Sequence, residues 1–379
     1  MHSIEANDQQ NPHDEFRAAV SRFAQEKLKS LEDAFTENEQ LSTSSKTTLS
    51  EGGYFGCTLP EAYGGSALSF EEYCIVLEEF SKVDIRFSLA VTMSSGPITK
   101  SIVEHGSPQQ RETILPGVCE GNVVLAFALT EPEAGSDAGA IRTSAKKSGS
   151  NWILNGTKHY ITYGNIADFV QVIATTGDRE ISCFLVRSNA QGFEVSRVDT
   201  TFAGEQLAEL KFSDCMVPED MLLGKPGEGF RIAMGSLDEG RIGIGAMCIG
   251  VAEALLEMAI GHAKTRQTFG KPLSERQAIQ WMLADSKIEL EASRALMNSS
   301  LQAYQKKQFL EVRTLASCLK VHASEMVGKI ADRSVQIFGG AGLIRGVPIE
   351  RIYRQVRHFR IGEGTSEIQR HLIAKQLIS

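Results

Sequence analysis

Apolar residues recur at helical spacing in three stretches of the first third of the chain. Phe16 to Leu31, Phe70 to Val83 and Ser107 to Val118 are each predicted to be helices. Gly-rich breaks, Glu51-Gly-Gly-Tyr-Phe-Gly56 and Tyr63-Gly-Gly65, separate them. Ser107-Pro-Gln-Gln supplies a helix start, with Ser107 as cap and Pro108 in the first turn. From about Leu125 the pattern shortens. Asn151 to Gly164, Asp168 to Thr175, Ile181 to Arg187 and Leu207 to Phe212 read as strands, and in the last of these Ala208, Leu210 and Phe212 alternate. This region closes near Gly224-Lys-Pro-Gly227, and helical spacing then returns. Ala284, Ile288, Ala292 and Ala295 share one face, while Val312, Leu315 and Leu319 open a stripe that stops at Gly339-Gly340. Helices, then a compact antiparallel sheet, then helices predict an α+β fold with segregated elements. The divisions fall at 1–124, 125–226 and 227–379.

Composition narrows the function classes. A chain of 379 residues holds two or three domains. A net charge of -8 disfavours nucleic acid as the main partner, because phosphate binding wants a basic surface. No apolar run in the sequence reaches the roughly 18 residues of a membrane span. Met1 to Glu15 is polar and unlike a signal peptide, so a cytoplasmic protein is expected. Seven scattered cysteines without a C-x-x-C pair predict reduced, buried thiols and neither a disulfide framework nor a zinc site. Gly243-Ile-Gly245 sits inside a helical run with no preceding strand, which excludes a dinucleotide fingerprint. There is no P-loop and no H-E-x-x-H, and a lone histidine such as His322 reads as structural.

Candidate chemistry begins in the loop Phe127-Ala-Leu-Thr-Glu-Pro-Glu-Ala-Gly-Ser-Asp137, where Thr130, Gly135 and Ser136 offer hydroxyls and amides to a ligand's polar edge or phosphate. This loop, together with Tyr160-Ile-Thr162, Arg266-Gln-Thr-Phe-Gly270, Gln336-Ile-Phe-Gly-Gly340 and Glu363-Gly-Thr365, resembles the acyl-CoA dehydrogenase family. The likeness runs from about Phe16 to the C-terminus, with five motifs in order, and suits a short- or branched-chain member. It implies an N-terminal helical domain, a middle β-domain and a C-terminal four-helix bundle, with FAD held between them.

By that resemblance, Phe127, Leu129 and Thr130 line the isoalloxazine edge, and Gly135 and Ser136 meet the pyrophosphate, Ser136 also lying near the thioester. Tyr160 stacks near the ring where Trp is frequent, and Thr162 reaches the N5 side. Arg266, Phe269, Gln277, Gln336, Gly339 and Gly340 contact the flavin of a neighbouring subunit, so a homodimer or homotetramer is implied. Thr365 and Glu367 touch the adenosine side, and Asp238 and Arg241 the CoA nucleotide. An electron-transferring flavoprotein is the implied oxidant of the reduced flavin.

The reaction implied is α,β-desaturation of an acyl thioester, with Glu363 as the base. Gly362 and Gly364 flank it and permit close approach of backbone and substrate. Some relatives carry their base on an earlier helix, but the matching position here is Gly240. The family commonly has Tyr where this chain has Gly362, which opens room for an α-branch, a ring or a polar substituent. Tyr163 replaces a common Asn or Ser, and Thr200 to Gln206 is about one residue short. Three other readings stay open: an acyl group carried on a carrier protein, a flavin monooxygenase of the same fold, and a non-catalytic flavoprotein.

Overall fold

The computed structural model describes residues 13–34, 42–178, 180–235 and 237–378. The polar N-terminus read from Met1 to Glu15 falls almost wholly outside them. Six helices come first: α1 (Asp14–Phe23), α2 (Thr43–Glu51), α3 (Phe70–Val83), α4 (Ile85–Ser95), α5 (Pro97–His105) and α6 (Pro108–Cys119). The helix expected over Phe16 to Leu31 is continuous only in outline, because α1 passes into a wider turn at Ala24–Leu28 and a tighter one at Lys29–Ala34. α6 begins as its sequence suggests. Ser107 Oγ accepts from Gln110 N–H at 3.1 Å, and Gln110 Oε1 accepts from Ser107 N–H at 2.9 Å. α3 carries the same reciprocal cap between Ser69 and Glu72.

Eight strands follow: β1 (Leu125–Ala128), β2 (Ser144–Ser148), β3 (Asn151–Thr162), β4 (Phe169–Gly177), β5 (Glu180–Arg187), β6 (Phe193–Thr200), β7 (Gln206–Pro218) and β8 (Leu222–Leu223). They form one sheet in the order β6-β7-β3-β2-β4-β5-β8, and β1 joins beside β4. The sheet is antiparallel apart from β4's parallel pairings with β1 and with Ser144 of β2. The expected antiparallel middle domain is present, and β1, arriving directly from the helices, adds the parallel pairing alongside β4.

The last third consists of α7 (Gly229–Gly235), α8 (Leu237–Thr265), the short ribbon β9 (Gln267–Thr268) and β10 (Lys271–Pro272), α9 (Gln277–Gln305), α10 (Phe309–Phe338), α11 (Pro348–Gln355) and α12 (Ser366–Ile378). α8 is apolar on nearly every side because it is surrounded by α3, α9 and α10. Its glycines let those neighbours in. A Cβ on Gly245 would meet Leu319 of α10 at 2.6 Å, and one on Gly250 would meet the Glu78 carbonyl of α3 at 2.1 Å. By length and mean hydropathy the stretch 229–265 could cross a membrane, but 78% of its apolar window is buried inside the protein, as in a core helix. All seven cysteines are free, six of them buried. His322 bonds Ser293 across the α9–α10 contact at 2.8 Å.

Candidate active site

The chain leaves α11 through a tight turn at Val356–Arg360 and re-enters a helix at Ser366. Glu363 lies in the short connection between them. Its φ is +53° and that of Gly364 is +92°, two successive left-handed residues. For a glutamate this conformation needs outside support. The Gly364 carbonyl accepts from Lys320 Nζ at 2.6 Å and from Gln369 Nε2 at 3.3 Å, and the Glu363 carbonyl accepts from Gln369 Nε2 at 3.2 Å. Gly364 is favoured as glycine by its φ, and a Cβ there would also press on Gln369 Nε2 at 2.7 Å.

The carboxylate turns inward onto α8. Its Oε2 is buried and lacks a hydrogen-bond partner among the described residues. Burial raises the Glu363 pKa to about 7, while Arg241 and Lys320 pull it down. A buried carboxylate oxygen without a donor is uncommon and marks a candidate reactive group. Gly240 carries no side chain, and Glu363 occupies the space that one would fill. Beside Glu363, Gly362 is exposed, and a Cβ there would meet only the His358 carbonyl, at 3.8 Å.

Arg241 lies within the same carboxylate's electrostatic reach. It is 6% exposed, donates from Nη1 to Asp238 Oδ1 at 2.8 Å, and acts electrostatically on Glu363 and Lys320. In this conformation the guanidinium is turned inward, and its charge lowers the Glu363 pKa. Asp238 is half-buried and also faces Arg313 Nε at 3.5 Å.

A second group of expected residues gathers at the edge of the sheet. Phe127 is on β1, and Leu129 and Thr130 follow it, all half-buried; Gly135 and Ser136 are exposed on the loop beyond. β3 reaches this loop through an irregularity in its pairing with β7 between Lys158 and Ile161. There Tyr160 takes φ +59°, stays 58% exposed and stacks on His159 at 3.9 Å, and His159 N–H donates to the Thr130 carbonyl at 2.9 Å. Thr162 closes β3, half-buried. Beneath the loop, Lys158 is fully buried and donates to the Leu129 carbonyl and to Glu131 Oε1, each at 2.8 Å. Glu131 also accepts from the N–H groups of Arg142 and Thr143. Burial pulls Lys158 down to about 8; burial would raise Glu131, but its donors outweigh that and hold it below its ordinary value.

The third group lies at the other end of the bundle. Arg266 follows α8, Phe269 and Gln277 lead into α9, and Gln336, Gly339 and Gly340 end α10; all six are exposed. Phe269 is 96% exposed with φ +50°, and Gly270, Gly339 and Gly340 face open space. At about 1.5 Å of rise per residue, Gly240 and Thr265 stand about 38 Å apart along α8. Thr365 and Glu367 sit at the start of α12, where Thr365 Oγ1 accepts from Ile368 N–H at 3.3 Å. The Glu367 backbone N–H and the Thr365 hydroxyl hold the Glu367 carboxyl below its ordinary value.

Lys320, Gln369, Lys158 and Glu131 support these groups, and sequence reasoning did not single them out. The one signal available was a lysine on an otherwise apolar helix stripe beside Leu319.

The residues present suit a flavin dinucleotide. Gly135 has open space around it, Tyr160 and Phe269 are largely exposed aromatic rings, and Arg266 supplies a fork for phosphate. Models of the N-terminal, middle and C-terminal domains of acyl-CoA dehydrogenase match residues 10–122, 126–215 and 227–378. An acyl-CoA dehydrogenase of Bacillus subtilis is 36% identical over 368 residues, covering 96% of this chain and 97% of that one. Among solved structures, butyryl-CoA dehydrogenase from Megasphaera elsdenii is 32% identical with a TM-score of 0.89, covering 96% and 97% of the two chains. An acyl-CoA dehydrogenase complexed with FAD from Bacillus anthracis is 28% identical with a TM-score of 0.90, covering 97% of this chain and 68% of that one. The chain belongs to the acyl-CoA dehydrogenase family.

Proposed function

We propose that this protein, an FAD-dependent oxidoreductase, desaturates an acyl-CoA thioester between its α and β carbons, with Glu363 as the base. The observation that carries this reading is the Glu363 carboxylate: buried, without a donor on Oε2, and raised to about 7. A base of that pKa is about half ionised at neutral pH and takes a proton more readily than an ordinary carboxylate.

The α-proton of a thioester is only weakly acidic, so the carbonyl must be polarised as the proton leaves. Among the described residues nothing accepts from the Glu363 N–H, which leaves that donor available to a thioester oxygen. As the α-C–H bond breaks, its proton goes to the Glu363 carboxylate and its electron pair forms the new double bond. Bound FAD supplies the acceptor for the β-hydrogen, which departs as hydride. The middle-domain loop from Phe127 to Ser136, with Tyr160 and Thr162, serves as the cradle for that group. The end of the bundle bearing Arg266 and Phe269 completes the site of a neighbouring subunit, which fits the 38 Å scale of their separation from Glu363 (about the length of α8). That makes the working unit a homodimer or a homotetramer. An electron-transferring flavoprotein is the proposed oxidant.

The test is anaerobic mixing of the holoenzyme with short, branched and aromatic acyl-CoAs, and with the same acyl groups on a carrier protein. Bleaching of the yellow flavin by at least one CoA ester supports the proposal. Bleaching by carrier-bound esters alone would replace CoA with the carrier as the substrate handle.

A further inference from the structure

We propose that Lys320 is a positioning residue for the base: by bonding the Gly364 carbonyl, it fixes the Glu363–Gly364 turn so that the carboxylate remains over Gly240. This rests on the reading of Glu363 as base.

Lysine is rarely fully buried unless it is paired. Lys320 is 0% exposed, yet among the described residues its ammonium has a single acceptor, the Gly364 carbonyl at 2.6 Å, and no carboxylate within ion-pair distance. An apolar side chain would fill this place on the core helix more cheaply. The bond therefore has to be explained by what it holds, and it holds two consecutive left-handed residues. Gln369, itself 0% exposed, is the second donor to the same turn.

The support is rigid because of where Lys320 stands. Its neighbour Leu319 packs onto Gly245 of α8, which fixes the register between α10 and α8. Gly240, about a turn and a half earlier on α8, receives the carboxylate. The turn and the seat of the carboxylate are thus both tied to one helix pair. Arg241 from α8, Lys320 from α10 and Tyr73 from α3 act electrostatically with Glu363, while Cys248, Arg241, Glu363 and Glu367 act on Lys320. Burial brings the Lys320 pKa down to about 8, so the cation persists at neutral pH.

The experiment compares wild type, Lys320→Met, Gln369→Leu and Glu363→Gln as FAD-loaded enzymes, with butanoyl-CoA as probe and an artificial dye as electron acceptor. Lys320→Met is expected to keep FAD, lose about 100-fold in kcat, change KM less than threefold, and shift the acid limb of kcat/KM upward by about one pH unit. A lysine that only supported the fold would lower FAD content but leave kcat per flavin and the pH profile as in wild type; that result overturns the proposal. If Lys320→Met does not retain FAD, Gln369→Leu carries the test. It is expected to lose about tenfold in kcat with FAD retained, and wild-type kcat in it overturns the proposal. Glu363→Gln separates the two claims. Its inactivity beside a wild-type-like Lys320→Met refutes positioning alone, whereas full activity in Glu363→Gln refutes the base and the positioning with it.

Discussion

The carboxylate of Glu363 lies where residue 240 would carry a side chain: a Cβ built on Gly240 would stand 2.2 Å from Glu363 Oε2 and 2.8 Å from its Cδ. The two residues are exclusive occupants of one space. A base can project from the C-terminal turn only because α8 offers a glycine there.

Gly240→Ala follows directly. The added methyl displaces the carboxylate, and a misplacement of this kind costs on the order of 100-fold in kcat. FAD content should remain at the wild-type level, since Gly240 is not among the residues of the proposed flavin cradle. Steady-state kinetics per bound flavin check this, and unchanged kcat would show that the carboxylate has another productive position.

The pH dependence has a defined sign. Burial raises the Glu363 pKa from 4.5 in the unfolded reference to about 7. The folded protein therefore holds this proton more tightly, and the group's stabilising contribution is full below pH 4.5 and lost as pH rises through 7. Glu363→Gln removes that loss, so it should be more stable than wild type above pH 7, by about 3 kcal/mol at most. The advantage should fade toward pH 4.5 in paired unfolding curves. Activity runs in the opposite direction, with kcat/KM of the free enzyme rising as pH passes about 7.

Lys158→Met tests the floor of the loop that bears Leu129 and Thr130. It leaves the Glu131 carboxylate buried with only the two backbone donors from Arg142 and Thr143. Breaking a buried pair from one side costs about 3–5 kcal/mol. The expected result is a lower unfolding temperature together with FAD loss on gel filtration. Tight FAD retention would separate the loop's geometry from flavin binding.

Gly362→Tyr tests substrate shape. Its Cβ direction is open, so the ring can be accommodated, and it would narrow the approach to the base. Activity on butanoyl-CoA should persist within about tenfold, while α-branched or aromatic esters lose more. Equal effects on all esters would show that Gly362 does not set specificity.

Much of this was legible in the sequence because it rests on local signals. Helical spacing gave α3 and α6, the Ser107 cap placed the start of α6, and Gly-Glu-Gly drew attention to residue 363. Other features depended on packing. The largely exposed β6 alternates only over Phe193-Glu-Val195 before its pairing shifts, and β1 is defined by its parallel partner. Lys158 keeps the inward parity of Trp152 and Leu154 along β3, but a lysine is expected at the surface until its partner Glu131 is folded beneath the loop. Lys320 reads as one polar residue on a helix until α8, α9 and α12 are packed around α10. The inward turn of Arg241, toward Asp238 and Glu363, is likewise set by packing.

The central claim is that Glu363 removes the α-proton, and the most direct test is anaerobic mixing of FAD-loaded Glu363→Gln with an acyl-CoA that bleaches wild type. The amide keeps the size of the side chain but cannot take the proton. The account predicts wild-type FAD content and flavin that stays yellow, with bleaching slowed at least 1,000-fold, in keeping with the upper range for loss of a general base. Bleaching at the wild-type rate would contradict it.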